Sequence, residues 1–336
     1  MVEVLVTGGA GFIGSNFVRH ALQTHDEWRV TTLDKLTYAG RRENLHDVMD
    51  HPRHAFVHGD ICDAPLAGPL VERSNIVVHF AAETHVDRSI MAAGDFIRTD
   101  IQGTFVLLEA ARRAPELHRF VQISTDEVYG SVPTGSSTER DELRPRNPYS
   151  ASKAGADRLA YSYFATYGVP VIVTRASNNY GPYQFPEKVL PLFISNLVDD
   201  IPVPLYGDGG NIRDWLHVLD HCRAIDHLIG AAENGEVYNV GGGNEVKNVD
   251  LTHRVLELMG KPASLIERVP DRPGHDRRYA LDTTKLRSMG WAPQVPFDQG
   301  LGDTVAWYRE NEWWWRPIKE RDPAFKAYYE AQYGKR

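Results

Sequence analysis

Two acids, Asp126 and Glu127, stand side by side directly after a run, 120–124, that reads as a buried strand. Adjacent carboxylates repel, and burying either one costs free energy unless it is paired or protonated. A pair with one member charged and the other neutral can take a proton from one atom and give one to another. By residue type alone, the usual reading of such a pair is two surface acids in a loop, and only the flanking motifs reverse it. Neighbours on a strand point to opposite faces, so both acids can face one ligand only where the strand has ended and the chain turns. Val128, Tyr129 and Gly130 suit such a turn. Tyr149 and Lys153 lie at i and i+4, on one face of a helical stretch. A free phenol has a pKa of about 10, and a nearby ammonium stabilises its phenolate. With a second positive charge beside it, such as that of an oxidised nicotinamide, Tyr149 is a candidate base close to neutral pH. That spacing is common by chance and gains specificity from its surroundings.

The surroundings include a glycine turn. T-G-G-A-G-F-I-G places Gly8, Gly11 and Gly14 between an apolar run at 2–6 and a helical stretch at 12–22 that opens with Phe12 and Ile13. Glycine permits the tight turn and lets the backbone approach a pyrophosphate, to which the helix N-terminus presents N–H groups. Asp34 ends the next strand, about 20 residues on, where a carboxylate can bind ribose hydroxyls. An acid there repels a 2′-phosphate, which favours NAD over NADP, although Lys35 works against that preference. Asp60 and Ile61 follow the third strand, where an adenine would lie. Asp60 is by type as good a helix N-cap as a ligand.

Positioning these groups requires strands at 2–6, 28–33, 55–57, 76–80, 120–123 and 171–174, with helices between them, notably 96–113 and 149–167. Alternating strand and helix predicts an α/β fold, a Rossmann-type doubly wound parallel sheet with a smaller C-terminal substrate-binding lobe. Ligands then sit outside the carboxyl ends of the strands. The expected division is 1–176 for the dinucleotide and 177–336 mainly for substrate. Strand and helix patterns at 213–217 and 222–230 predict a return to the first lobe around 213–240. The aromatic stretch 313–336 reads as a tail packed on the body.

Composition sets bounds. The 336 residues are 42% apolar and 24% charged, with a net charge of −8. Arginine pairs at 41–42, 112–113 and 277–278 are short and scattered, so nothing calls for nucleic acid. Cys62 and Cys222 make no disulfide framework, and no stretch approaches the roughly 20 apolar residues of a membrane span. These features predict a cytoplasmic protein with no membrane partner. His51, His54 and His58 cluster without a thiolate or a second ligand group, so no metal is expected.

T-G-G-A-G-F-I-G with the later Y-S-A-S-K resembles the extended short-chain dehydrogenases/reductases. S-T-D-E-V-Y-G (124–130), D-K-L-T-Y-A-G (34–40), A-A-E-T-H-V-D-R-S (81–89), S-N-N-Y-G-P (177–182), R-D-W-L-H-V (213–218) and D-R-P-G-H-D-R-R-Y (271–279) resemble the nucleotide-sugar 4,6-dehydratases, in particular those acting on dTDP-glucose. The likeness runs over nearly the whole chain. It implies an NAD-dependent hydro-lyase of deoxysugar biosynthesis. Tyr149 would take the carbon 4 hydroxyl proton, with Thr125 orienting that oxygen and Lys153 beside it. Glu127 would take the carbon 5 proton, and neutral Asp126 would protonate the leaving hydroxyl at carbon 6.

The resemblance adds Leu36, Thr37, Phe80, Ala81, Ala82, Thr99 and Asn179 to the NAD site. It implies that Thr84 meets the sugar, with Asn178, Lys188, Val189, Pro204, Leu205, Tyr206 and Asn248 lining the nucleotide site. Arg213 and Arg272 are phosphate candidates, because guanidinium binds two oxygens at once. Asp271, His275 and Tyr279 share the motif of Arg272. The resemblance also implies a homodimer paired through helices 96–113 and 149–167, although burial within one subunit would explain their apolar faces equally. Another nucleotide-sugar dehydratase, a 4-epimerase or a decarboxylase on the same fold is the nearest alternative, and a non-enzymatic NAD-dependent binder a more distant one.

Overall fold

A computed structural model describes residues 1–271 and 274–333. Six strands follow one another in the first half: β1 (Val2–Thr7), β2 (Trp28–Asp34), β3 (His54–His58), β4 (Ile76–His79), β5 (Arg119–Thr125) and β6 (Val171–Ala176). Beyond them come β7 (Asn178–Tyr180), β8 (Val203–Tyr206), β9 (Ile212–His217), β10 (Val237–Val240), β11 (Glu245–Lys247) and β12 (Ile266–Val269). Seven strands form one sheet in the order β10-β6-β5-β4-β1-β2-β3, with every pairing parallel. The order reverses between β1 and β4, which opens a crevice at their carboxyl ends. β11, β9 and β7 form a second sheet, and β12 and β8 a third.

The period-2 alternation of the strands explains the layers. Val4, Val6, Val78, Val121 and Ile172 face one way and pack on Phe17, Val18, Ile225 and Leu228, from helices Phe12–Thr24 and Val218–Ala231. Leu5, Val77, Phe120 and Val171 face the other way, onto Leu70, Leu107, Ala160 and Tyr163. Burial on both faces accounts for the nearly continuous apolar runs of these strands. A separate core joins Leu190, Phe193, Trp215, Leu251, Tyr308, Trp314 and Trp315 around the smaller sheets.

Two elements differ from their sequence patterns. The strand at 212–217 pairs with β7 and β11, and it is β10, at 237–240, that joins the large sheet. The helix at 96–113 is α-helical at Ala93–Phe96, π-helical over Ile97–Gly103 and α-helical again over Thr104–Ala111. The wider turn brings the buried Asp100 carboxylate onto Glu83 N (2.8 Å) and the Ser152 hydroxyl (2.6 Å). Side-chain periodicity does not reveal such an insertion, and π-turns gather at functional sites.

Candidate active site

The glycine turn follows β1. Gly8 has φ +69°, and a Cβ there would lie 2.5 Å from Ala81 N. A Cβ at Gly14 would run into the Gly8 carbonyl. Helix Phe12–Thr24 therefore starts flush against the crevice, and its N-cap, Gly11, supplies no side-chain cap. A first turn uncapped by its own chain, with no Cβ at Gly8, Gly11 or Gly14, is a cradle that fits a dinucleotide pyrophosphate.

Asp34 ends β2 and is 8% exposed. Its oxygens accept from Ala10 N (2.9 Å) and Leu36 N (2.8 Å), and each keeps a second lone pair. Burial raises its pKa against those two N–H groups. Lys35 pairs with Asp60 at 2.8 Å, so its charge is answered within the protein. Asp60 Oδ1 accepts from Cys62 N, and the following helix is capped by Asp63. Phe12, Ile13, Thr37, Ile61, Phe80, Ala81, Ala82, Thr99 and Asn179 complete this side of the cavity. Leu36 does not line it. Its φ of +55° turns the N–H to Asp34, and its side chain packs against the core beneath the sheet.

β5 ends at Thr125, and one 3-10 turn, Asp126–Tyr129, follows. This turn removes the strand alternation, and both Asp126 and Glu127 line the cavity. Thr125 Oγ1 accepts from Glu127 N (3.3 Å) and donates to Asp126 Oδ1 (3.1 Å). Asp126 is 3% exposed, and its Oδ2 is buried with no hydrogen-bond partner. Burial first, then the Glu127 charge, raises its pKa well above the usual range, with Arg213 pulling the other way. Glu127 Oε2 meets Asn147 Nδ2 and the Tyr279 hydroxyl, each at 3.4 Å.

Helix Pro148–Tyr167 is fixed at its start by a capping box, Asn147 with Ser150, and by proline at its first position. It sets Tyr149 and Lys153 against the end of β5. Lys153 is 5% exposed and donates to the Ile123 carbonyl at 2.7 Å. Burial lowers its pKa, while Asp100 and Asp157 raise it. The protein's own groups oppose the Tyr149 phenolate. Burial, then the Glu127 and Asp100 charges, hold its phenol above the ordinary range, and a hydrogen bond with Thr125 only partly offsets this. Lys153 alone does not prepare a phenolate in the protein.

On the far side, Thr84, Asn178, Lys188, Val189, Pro204, Tyr206, Arg213, Asn248 and His275 line the same cavity. Lys188 Nζ donates to Thr84 Oγ1 at 3.3 Å. Arg213 lies over the Tyr279 ring at 4.3 Å. Three candidates stand off. Leu205 alternates away from Pro204 and Tyr206 along β8 and is 2% exposed. Asp271 turns to His275 Nδ1 at 2.5 Å. Tyr279 is buried behind the wall, donating to Asp276 Oδ2 at 2.7 Å. Arg272 lies outside the described residues. Among the described residues no His, Cys, Asp or Glu cluster suits a metal.

Sequence reasoning missed Glu187, whose buried carboxylate lines the cavity beside Lys188 and meets Arg88 at 2.9 Å. It also missed Asp100, whose pKa burial pushes up to about 6 against the pull of Lys153. Proximity to Lys188 was the only available signal for the first, and the π-turn concealed the second.

A doubly wound parallel sheet, a glycine cradle and a Tyr-Lys pair at the crevice define an extended short-chain dehydrogenase/reductase. The chain belongs to the family described as GDP-mannose 4,6 dehydratase, which matches residues 5–304. It is 52% identical over 328 residues to a dTDP-glucose 4,6-dehydratase of Streptomyces niveus, covering 96% of this chain and 97% of that one. The structure of DesIV, a dTDP-glucose 4,6-dehydratase from Streptomyces venezuelae with NAD bound, superposes with a TM-score of 0.92 at 51% identity, covering 95% of this chain and 100% of that one. A dTDP-glucose 4,6-dehydratase from Bacillus anthracis in complex with NAD gives 0.89 at 47% identity, covering 95% and 100%.

Proposed function

We propose that the protein dehydrates dTDP-glucose to dTDP-4-keto-6-deoxyglucose, with NAD held in the glycine cradle. Held by the glycine cradle and Asp34, NAD would supply the acceptor for the carbon 4 hydride and its return to carbon 6, so the reaction would have no net redox. In this reading, residues 1–176, rejoined by β10, hold NAD, and the later elements mainly hold the nucleotide sugar. Thr125 orients the carbon 4 oxygen and Tyr149 takes its proton. Glu127 takes the proton at carbon 5, which the neighbouring ketone has made acidic. Asp126, neutral, protonates the carbon 6 hydroxyl as it leaves as water. Arg213 answers the diphosphate charge. Tyr279 sits behind Glu127 as a positioning residue.

One observation carries the reading: a buried carboxyl with an unpartnered oxygen and a raised pKa, beside a second carboxylate in the same cavity. Epimerisation has no leaving hydroxyl for such an acid. The test is to incubate purified protein with dTDP-glucose, adding no cofactor, and follow the mass of the sugar nucleotide. Loss of one water without net reduced cofactor is expected. An unchanged mass would sink the proposal.

The protein works in this reading as a homodimer in a reducing, cytoplasmic setting. Support for the dimer comes from Ile97, Phe105 and Tyr161, which are exposed on helices that carry cavity residues on their other side. Support for the setting comes from Cys62 and Cys222, both unpaired. No helix among the described residues is long and apolar enough to cross a membrane.

A further inference from the structure

One buried carboxylate has no task in that reaction. Asp100 is 1% exposed and sits on the π-turn Ile97–Gly103. Its Oδ1 accepts from Glu83 N (2.8 Å) and its Oδ2 from the Ser152 hydroxyl (2.6 Å). Its backbone carbonyl accepts from Thr104 Oγ1, which also meets His79 Nε2 at 3.0 Å, while His79 Nδ1 meets Thr7 Oγ1 at 2.7 Å. Asp100 thereby ties together the loop that carries Thr84, the π-turn that carries Thr99 and the helix that carries Tyr149 and Lys153.

Asp100 is also an anion that answers Lys153. Burial raises its carboxyl to about 6 against the pull of Lys153, and burial lowers Lys153 while Asp100, then Asp157, raise it. Burial, then the Glu127 and Asp100 charges, oppose the Tyr149 phenolate. No other neighbour takes the place of Asp100. Asp157 acts on Lys153 too, but both its oxygens bond Arg175, at 2.8 and 3.1 Å. Glu83 is itself raised by burial and by the Asp100 and Asp95 charges, and burial, then Lys153, hold His79 neutral, at about 3. Two anions beside one buried ammonium are costly, so a charged Asp100 and a Tyr149 phenolate compete for Lys153. Ser152 suits either outcome. Its hydroxyl lies 2.6 Å from Asp100 Oδ2 and 2.8 Å from the Tyr149 carbonyl. It donates to a charged Asp100, or accepts from a neutral one and donates to that carbonyl.

We propose that Asp100 is a positioning residue for Tyr149, competing with the phenolate for the Lys153 ammonium, so that Tyr149 gives up its proton most readily when Asp100 is neutral. The inference rests on the reading of Tyr149 as the base for the carbon 4 hydroxyl. Between the two states the phenol O–H breaks and a carboxyl O–H forms, each by exchange with solvent, and the negative charge beside Lys153 stays the same. A cationic nicotinamide near the phenol would favour the phenolate in both states and leaves the competition in place. As pH falls through about 6, Asp100 takes up a proton and the phenolate loses its competitor, which extends base action towards acid pH.

The test uses the full-length, NAD-containing protein as wild type and as Asp100→Asn, each with and without Tyr149→Phe. Asparagine removes the charge and keeps both contacts, accepting from Glu83 N and donating to Ser152. The ultraviolet absorbance of the phenolate is titrated with pH, and that of the Tyr149→Phe counterpart is subtracted. In Asp100→Asn the Tyr149 midpoint should fall by about one pH unit. The acid limb of dTDP-glucose dehydration should move down by the same amount. Asp100→Glu, which restores a carboxylate, should bring the midpoint back towards wild type. If circular dichroism and bound NAD show that Asp100→Asn does not fold, Asp100→Ser is read the same way. An unmoved midpoint overturns the inference, whether the rate is unchanged or falls equally at every pH. So does an upward shift, which would make Asp100 only a support for the Lys153 ammonium. If the wild type does not dehydrate dTDP-glucose, the substrate reading has failed, and the phenolate titration, which needs no substrate, still decides the role of Asp100.

Discussion

Asp126 is a carboxyl group whose neutral form the folded chain favours. Burial and the Glu127 charge both act against ionisation, and the weaker opposing influence is Arg213. Its folded pKa therefore lies above its unfolded one. The native chain holds that proton more tightly than the unfolded chain, so this group's contribution to stability is complete below the unfolded pKa. It is lost as pH rises through the folded pKa. Asp126→Asn removes the ionisation while keeping the shape. The variant should be more stable than wild type at pH 8, and the difference should shrink as pH falls towards 4. Denaturant melts at the two pH values would measure it. The same substitution removes the acid, so water elimination should slow by roughly 10²–10⁴-fold while oxidation at carbon 4 continues. Product formation at wild-type rate would refute the acid role. The wild-type elimination rate should fall at high pH, as Asp126 loses its proton.

At the scale of elements, what was legible in the sequence was whatever follows a simple period. The apolar runs of β1, β4, β5 and β6, each followed by a helical stretch, placed the large sheet, and the glycine spacing placed the helix start at the crevice. Side chains set by a break in period were not legible. Asp100 sits on a π-turn and belonged to no motif, while Leu36 takes a left-handed conformation and Leu205 the alternate face of a short strand, so both pointed elsewhere than their motifs suggested. Tertiary ion pairs were equally hidden. Arg175, at the end of β6, is 1% exposed and binds Asp157 of helix Pro148–Tyr167 through Nε at 2.8 Å. It also reaches the Tyr129 hydroxyl at 2.7 Å, so one guanidinium clamps the helix that carries Tyr149 to the turn that carries Glu127. Removing one partner of a buried pair strands the other. Arg175→Met should cost about 3–5 kcal/mol, and adding Asp157→Leu should recover part of it. Equilibrium unfolding of the single and double variants checks both. If Arg175→Met costs under about 1 kcal/mol, the clamp carries no weight.

The whole molecule raises the question of what covers its outer helices. The segments 86–111 and 148–167 hold Thr99, Asp100, Tyr149 and Lys153 at the crevice or just behind it, yet their outer side is apolar. Met91 is 60% exposed, Ile97 50%, Phe105 46% and Tyr161 43%. Ile97 and Phe105 are exposed on one of these helices and Tyr161 on the other, with Ile101 packed against Gly155 between them. Scattered apolar residues on a surface need no explanation, but a stripe running along two adjacent helices is the kind of face a second copy covers. A two-fold axis across it would pair each helix couple with itself, giving four packed helices. Ile97→Lys with Phe105→Lys leaves the interior of one chain intact while placing like charges across such an interface. Light scattering should give the wild type twice the 37.8 kDa of one chain, and the double variant a single chain that is still folded by circular dichroism. A wild type of one-chain mass would dispose of the dimer. Activity should fall with the dimer, because the π-turn that presents Ile97 outward presents Thr99 to the cavity and Asp100 to Ser152. Loosening its outer side loosens the inner one. A monomeric variant with wild-type turnover would show that the two sides of this helix are independent.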